Sequence, residues 1–382
     1  MAFMPLVALT ALLHAYIGWR IIPAWAPEPT VQILLAGVLL ASFALMPASL
    51  LSRGARPTRW KHALTWAGLI FMGLFSSLFV LTLLRDVALA VADIAQALTS
   101  PLPWLDGAER LSGQALPLFA LVVTGWGFLN ARRTAAVVTV DVPIAGLPGA
   151  LHGFTIAQIS DIHVGPTIRR GYLDAIVRRV NRLDADLVAV TGDLVDGRVA
   201  DLSVHVAPLA DLTSRHGTYF VTGNHEYYSG AQAWVAELRR IGLQVLQNEH
   251  VVLSHDGASL VLAGVTDYSA HHFDPAQRSD PHRAVAGAPT EAHVRVLLAH
   301  QPRSAEAASQ AGFHLQLSGH THGGQFWPWN FFVRFQQPFT AGLHKLRDLW
   351  VYTSRGTGYW GPPKRFGAPS EITRLRLVAD TP

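Results

Sequence analysis

The chain has 382 residues, half of them hydrophobic and only 15% charged, with a net charge of +4. That charge is too slight for the dense basic stripe of a dedicated nucleic-acid binder, and the absence of cysteine excludes disulfides, thiolate metal sites and cysteine nucleophiles. The apolar content exceeds that of an ordinary soluble protein, and it is concentrated in residues 1–131, which hold seven Lys/Arg and five Asp/Glu.

Four long apolar stretches lie there, roughly 3–22, 31–51, 63–84 and 113–131. Each approaches the ~20 residues that cross hydrocarbon as a helix, so residues 1–131 read as a helical transmembrane domain. The opening "MAFMPLVALT" lacks the basic n-region of a signal peptide. Spans two and three are joined by "SRGARPTRWKH", with Arg53, Arg56, Arg59 and Lys61. Short basic loops stay cytoplasmic, which predicts Met1 inside and the fourth span leaving the bilayer inside, at Arg132 and Arg133. The expectation is a multi-pass protein of the inner (cell) membrane with its large domain in the cytoplasm. The connection Arg85–Ser112 then faces outward, and its start, "DVALAVADIAQAL", either prolongs the third helix or lies along the interface. Residues 132–152, with Pro143 and Pro148, read as a short β-like entry and linker. Residues 153–382 read as one large domain.

In that domain a pattern repeats. A short apolar run, rich in β-branched residues, is followed at once by side chains of metal-binding type. "FTIAQIS" precedes Asp161 and His163, and "DLVAVTG" precedes Asp193 and Asp196. "GTYFVTG" precedes Asn224, His225 and Glu226, "HVRVLLA" precedes His300, and "FHLQLSG" precedes His320 and His322. Such runs read as buried strands. Between them, "RGYLDAIVRRVNRL" carries Tyr172, Ile176, Val180 and Leu183 on one helical face, and "GAQAWVAELRRIG" fits a second helix. Alternating strands and helices imply an α/β layer architecture. Ligands of such sheets gather beyond the carboxyl ends of the strands.

Carboxylate, imidazole and amide groups without thiolate suit manganese, iron, zinc or cobalt. The groups on offer exceed what one ion needs, which suggests two divalent metal ions sharing a carboxylate. Paired ions ~3.5–4 Å apart clamp the attacking and leaving oxygens of a displacement at phosphorus. Gly192, Gly223 and Gly319 suit sharp turns and close approach at the site. His320 and His322 are expected to point the same way, as alternate residues of an extended segment.

In chain order, "DIH", "GDLVD", "GNHE", the lone His300 and "GHTH" resemble the calcineurin-like metallophosphoesterases, over about residues 154–378. "GHTHGGQ" and the late "SRGTG…RFGAPSEIT" are similar to the subgroup that includes the bacterial YkuE and YaeI proteins and transmembrane proteins with a metallophosphoesterase domain. The resemblance implies a four-layer α/β/β/α sandwich. It implies that Asp161, His163 and His322 hold a first ion, that Asn224, His300 and His320 hold a second, and that Asp193 bridges both. It places His225 near the leaving group, not on a metal.

Other residues have plainer readings. Asp196 suits a turn or a supporting position, and Glu226 suits a helix start, where carboxylates are favoured. Arg169, Arg170, Arg178, Arg179 and Arg182 suit a solvated helix face. His271, His272 and His282 fall in a Pro- and Asp-rich surface loop, and His14 and His62 suggest no chemistry. "QFWPWNFFVRFQQPF" packs seven aromatics into fifteen residues. It is either a satellite core or an apolar rim at the membrane or around an acyl chain. Arg355 and Arg365 are candidates to reach a phosphate, since guanidinium suits bidentate contact with it.

The reading is a membrane-anchored, dinuclear-metal phosphoesterase acting on a phosphodiester or pyrophosphate bond of an amphiphilic substrate. Some members of the resembled family hydrolyse UDP-2,3-diacylglucosamine in lipid A biosynthesis. A broad phosphodiesterase of nucleotides or glycerophospholipids is the alternative. A membrane sensor or transporter regulated by the metal-binding domain is the alternative of another class. Few ionisable residues lie within the spans, His14 apart, which disfavours a transport pathway. Oligomeric state is left open.

Overall fold

The computed structural model describes residues 3–51 and 58–380. Arg53 and Arg56 of the basic loop lie outside the described residues. The chain divides into two compact units, Met1–Leu129 with Gly361–Lys364, and Asn130–Trp360 with Arg365–Pro382.

The first unit is helical. α1 spans Phe3–Ile21, α2 Pro29–Leu51, α3 Arg59–Leu98, and α4 Leu105–Arg132, whose last turn passes into the second unit. All four are long and apolar enough to cross a membrane. α3 begins at the cap residue Thr58, whose hydroxyl accepts from Lys61 N at 3.3 Å. It runs 40 residues, about 60 Å at 1.5 Å per residue, twice the hydrocarbon thickness of about 30 Å. The segment "DVALAVADIAQAL" thus prolongs the third helix, and the connection to α4 shrinks to residues 99–104. Ile17, Ile21, Leu78, Leu116 and Ala120 form the core that joins α1, α3 and α4. α2 and α3 meet at Gly68, where a Cβ would collide with Leu45 O and Ser49. Several polar groups here are partnered. His14 Nε2 lies 3.0 Å from Ser42 Oγ, and its ring stacks on Phe75. Asp86 accepts from Tyr16 Oη at 2.6 Å and from Arg20 Nε at 2.9 Å.

The second unit carries twelve strands: β1 (Ala136–Ile144), β2 (Thr155–Ile159), β3 (Leu187–Val190), β4 (Thr218–Phe220), β5 (Gln244–Val245), β6 (Glu249–His255), β7 (Ala258–Gly264), β8 (Val294–Leu298), β9 (Leu315–Ser318), β10 (Gly342–Leu346), β11 (Leu349–Thr353) and β12 (Glu371–Ala379). Its helices are α5 (Arg170–Asn181), α6 (Val199–Val206), α7 (Asn224–Ser229), α8 (Ala231–Arg240), α9 (Pro281–Val285) and α10 (Ala305–Gln310). One six-stranded sheet has the order β1-β12-β2-β3-β4-β5, and the other β10-β11-β9-β8-β7-β6. Both are mixed. β2 to β5 run parallel, and β12 enters antiparallel to β2.

The sheets face each other across one apolar core. Side-chain alternation explains this directly. In β3, Leu187 and Ala189 join Ile156, Leu260, Leu298 and Leu317 between the sheets. Val188 and Val190 point the other way, onto Leu173, Ile176 and Val180 of α5 and Trp234 and Leu238 of α8. Behind the second sheet, Leu297 and Val351 pack on Ala284 of α9 and Ala305 and Ala308 of α10. The result is the expected four-layer sandwich, in which the central strands are covered on both faces.

The β-like entry expected within residues 132–152 is the strand β1. β1 pairs with β12 in parallel over nine residues, Ala136↔Glu371 to Ile144↔Ala379. Pro143 interrupts the strand pattern in the sequence. It is tolerated because β1 is the edge strand, where one row of donors needs no partner.

Candidate metal centre

Each expected ligand sits within the first few residues past the carboxyl end of a buried strand. Asp161 and His163 follow β2, Asp193 follows β3, and Asn224 and His225 open α7 after β4. His300 follows β8, while His320 and His322 follow β9. Five of these residues have left-handed backbone: Asp161 (φ 53°), His163 (56°), Asp193 (50°), His320 (71°) and His322 (51°). Such conformations cost free energy in residues other than glycine and cluster where function requires them. This corrects the expectation for "GHTH". The two histidines are brought together by tight turns either side of Thr321, not by the alternation of an extended segment.

Gly192, Gly223 and Gly319 all permit the approach, and a Cβ on Gly223 would run into Asp193. Gly192 has φ 84°, and a Cβ there would stand 2.7 Å from Gly223 N and His300 Nδ1. A Cβ on Gly319 would run into Ser160 and Asp161.

The side chains converge as three overlapping groups: Asp161, His163 and His322; His163, Asp193 and His225; Asp193, His300 and His320. In each group a ligand atom from every member lies within 4.8 Å of the others. His163 Nε2 faces His322 Nε2 at 3.0 Å, and His300 Nε2 faces His320 Nδ1 at 3.2 Å. Asp193 Oδ2 lies between the two pairs, 3.9 Å from His163 Nε2 and 3.2 Å from His300 Nε2. Asn224 Oδ1 is buried and has no hydrogen-bond partner. A buried acceptor without a donor is costly, and a cation would satisfy it. Two facing imidazole pairs, a carboxylate between them and an orphan amide oxygen suit a dinuclear metal site.

A second layer fixes these rings, as outer partners do in metal sites. His300 Nδ1 bonds Thr191 O at 2.8 Å, which turns Nε2 toward Asp193. Asp196 Oδ1 contacts His163 Nδ1 at 3.1 Å and His225 Nδ1 at 2.6 Å. Asp196 is thus a supporting carboxylate rather than a ligand. Burial lowers the pKa of His225, but the hydrogen bond it donates to Asp196 and the charge of Asp193 outweigh it and raise the ring to about 9. Burial also works against ionisation of Asp196, yet His163 and His225 pull its carboxyl below the ordinary range. For His320, burial and nearby His300 outweigh the pull of Asp193 and hold the ring neutral, down to about 3.

Glu226 does more than start a helix. It is fully buried and accepts from the backbone N–H of Gly223 at 2.6 Å, Asp193 at 3.0 Å and Leu194 at 2.8 Å. It ties the Asp193 turn to the first turn of α7. The spacing of a capping box, a glycine followed three residues later by glutamate, is the sequence signal that could have revealed this.

Both candidate phosphate arginines have partners within the protein, Arg355 with 37% of its side chain still exposed. Arg365 is 1% exposed. Its guanidinium donates to Gly358 O, His322 O and Arg355 O, and its Nη2 lies 3.0 Å from His322 Nδ1. It positions His322 and has no face left for a substrate. Arg355 pairs with the buried Glu371 at 2.9 Å. The aromatic stretch splits. Phe326 is buried, while Phe331, Phe332 and Phe335 are at least half exposed. His225 is ringed by aromatics that the sequence reading passed over, Tyr228 and Trp360. Neither belongs to a ligand motif, so no local signal marks them.

Residues 154–324 match the sequence profile of the family described as calcineurin-like phosphoesterase. The chain is 43% identical over 279 residues to a transmembrane protein with metallophosphoesterase domain from Bos taurus, covering 69% of this chain and 62% of that one. It is 39% identical over 228 residues to an uncharacterized metallophosphoesterase of Helicobacter pylori, covering 58% of this chain and 59% of that one. With an uncharacterized metallophosphoesterase of Aquifex aeolicus it shares 33% identity over 224 residues, 58% of this chain and 84% of that one. It therefore spans about three-fifths of the first two relatives' length.

Proposed function

The chain belongs to the calcineurin-like phosphoesterase family of metal-dependent phosphoester hydrolases, and from that premise we propose that it is a membrane-anchored enzyme cleaving a phosphodiester or pyrophosphate bond in an amphiphilic substrate. The carrying observation is the convergence of three overlapping ligand groups with the unsatisfied Asn224 Oδ1. Asp161, His163 and His322 would hold one divalent cation, and Asn224, His300 and His320 a second, with Asp193 shared. Manganese is the first choice, with iron, zinc or cobalt as alternatives. When bound, the cations would supply Lewis-acid polarisation of the phosphoryl oxygens and an acidified water.

The chain's own residues do the rest. Asp196 accepts from His225 Nδ1 and leaves Nε2 facing the site, 3.9 Å from Asp193 Oδ2. His225 is protonated at neutral pH and donates that proton to the departing oxygen. Thr191 and Arg365 keep His300 and His322 aimed, and Glu226 keeps the Asp193 turn closed. A lipid-linked pyrophosphate such as UDP-2,3-diacylglucosamine is the specific substrate we favour; a nucleotide or glycerophospholipid diester is the alternative. The catalytic unit would face the cytoplasm of a cell that carries the protein in its inner membrane. Arg59 and Lys61 in the first turn of α3, and Arg132 and Arg133 at the exit of the fourth span, support that side.

The test uses the purified full chain loaded with manganese, assayed on bis-p-nitrophenyl phosphate and on UDP-2,3-diacylglucosamine, before and after chelation. Hydrolysis should vanish with the metal and return when manganese is added back. A fully loaded protein that cleaves no phosphate ester would overturn the reading.

A further inference from the structure

The geometry points to an aromatic wall beside His225 that selects substrates whose leaving side carries an apolar group. The inference rests on the proposed role of His225 at the departing oxygen and adds what that oxygen is attached to. The Trp360 ring stands edge-on to His225 at 5.6 Å, and Tyr228 at 5.3 Å. Phe273 continues the surface, 5.5 Å from Tyr228. These rings come from three separate places in the chain: the "SRGTGYW" loop, α7 and the turn after β7. All three stay half open, with Trp360 47% exposed, Phe273 50% and Tyr228 64%.

Exposed aromatics are commonplace one at a time; a continuous set touching a catalytic imidazole is not. Their placement is built rather than incidental. Gln325, three residues past His322, donates through Nε2 to Trp360 O at 2.9 Å and accepts from Trp360 N at 2.8 Å. The "GHTHGGQ" segment thus holds a ligand and the tryptophan from one turn. This gives the glutamine of that motif a task that metal binding does not need. The wall carries no charge of its own. The occupant that matches it is an uncharged apolar moiety on the leaving oxygen, either planar and aromatic or an alkyl chain. A leaving side made only of phosphate or glycerol would find no complementary group there.

The experiment measures kcat/KM of the manganese-loaded full chain in lipid nanodiscs on two matched pairs of methyl phosphodiesters. One pair leaves phenol or 2-naphthol, and the other ethanol or octanol. Within each pair the leaving groups are of similar acidity and differ chiefly in apolar area. The larger member should win by about tenfold, the effect of burying one extra ring or a few methylenes. That ratio should collapse toward one in Trp360→Ala and in Phe273→Ala. Preference in the naphthyl pair alone identifies an aromatic occupant, and in the octyl pair alone an alkyl chain. A wild-type ratio near one in both pairs, or a ratio that survives both substitutions, overturns the wall while leaving the phosphoesterase reading standing. Absence of hydrolysis of these diesters, of bis-p-nitrophenyl phosphate and of UDP-2,3-diacylglucosamine alike overturns the phosphoesterase reading itself. Binding of methyl (2-naphthylmethyl)phosphonate, in which a methylene replaces the scissile bridging oxygen so that the probe cannot be cleaved there, is measured by titration in parallel. It should weaken by a similar factor in both variants, and unchanged binding counts against the wall.

Discussion

At the scale of single residues, the site separates groups that would hold cations from groups that hold those groups. His225 is the sharpest case. His225→Ala should cut turnover by roughly 10²–10⁴-fold while metal content, read by mass spectrometry, stays intact. Loss of metal in that variant would show that the ring is a ligand. The pH profile offers a second check. With the ring raised to about 9, its protonated form dominates below that value and disappears as pH rises through it. Activity should therefore fall on an alkaline limb at or below pH 9, since cations near Asp193 would offset part of that carboxylate's pull. In Asp196→Asn the anionic acceptor is gone, so the limb should move acidward, toward the ordinary histidine value of about 6.5. A limb that stays put would mean that another group titrates. Glu226→Gln puts an amide donor among four backbone donors and should lower stability by about 1–3 kcal/mol, seen as a lower melting temperature. The ligand types were legible because aspartate, asparagine and histidine recur right after apolar runs. The true task of Arg365 was not. A guanidinium's direction depends on which carbonyls the fold brings to it, and those come from Gly358, His322 and Arg355.

At the scale of elements, the five ligand-bearing strands and the helices α5 and α8 were readable from period and β-branching alone. Of β1 only a β-like entry was legible; its place in the sheet was not, because its partner lies more than two hundred residues away. The extension of α3 was left open in the sequence, since an apolar helix looks the same in lipid, along an interface or standing free. The importance of β12 is measurable. Leu375 lies between the two sheets and is fully buried. Leu375→Ala should cost about 2–5 kcal/mol, read as a drop in denaturation midpoint of the full chain. A loss below about 1 kcal/mol would mean that the inter-sheet core tolerates a gap there.

At the scale of the whole molecule, four apolar helices and a four-layer sandwich were both legible in outline, while the side of the membrane rests on a handful of charges. The chain contains no cysteine, which makes that point directly testable with single introduced thiols. Under the proposed topology, Gly107→Cys at the start of α4 should react with an impermeant maleimide on intact cells. Ser254→Cys on β6 should react only after permeabilisation. The opposite pattern would put the catalytic unit outside. The pairing of β12 with β2 bears on how the protein is made. Every residue of the cation site has been translated once the ribosome passes His322, yet the strand that aims Asp161 and His163 still lacks its neighbour on one side. Only delivery of Glu371–Ala379 closes that edge and brings β1 into the sheet. A message cut short in between would yield a product with its full chemical inventory and an open strand ready to pair with a sister chain.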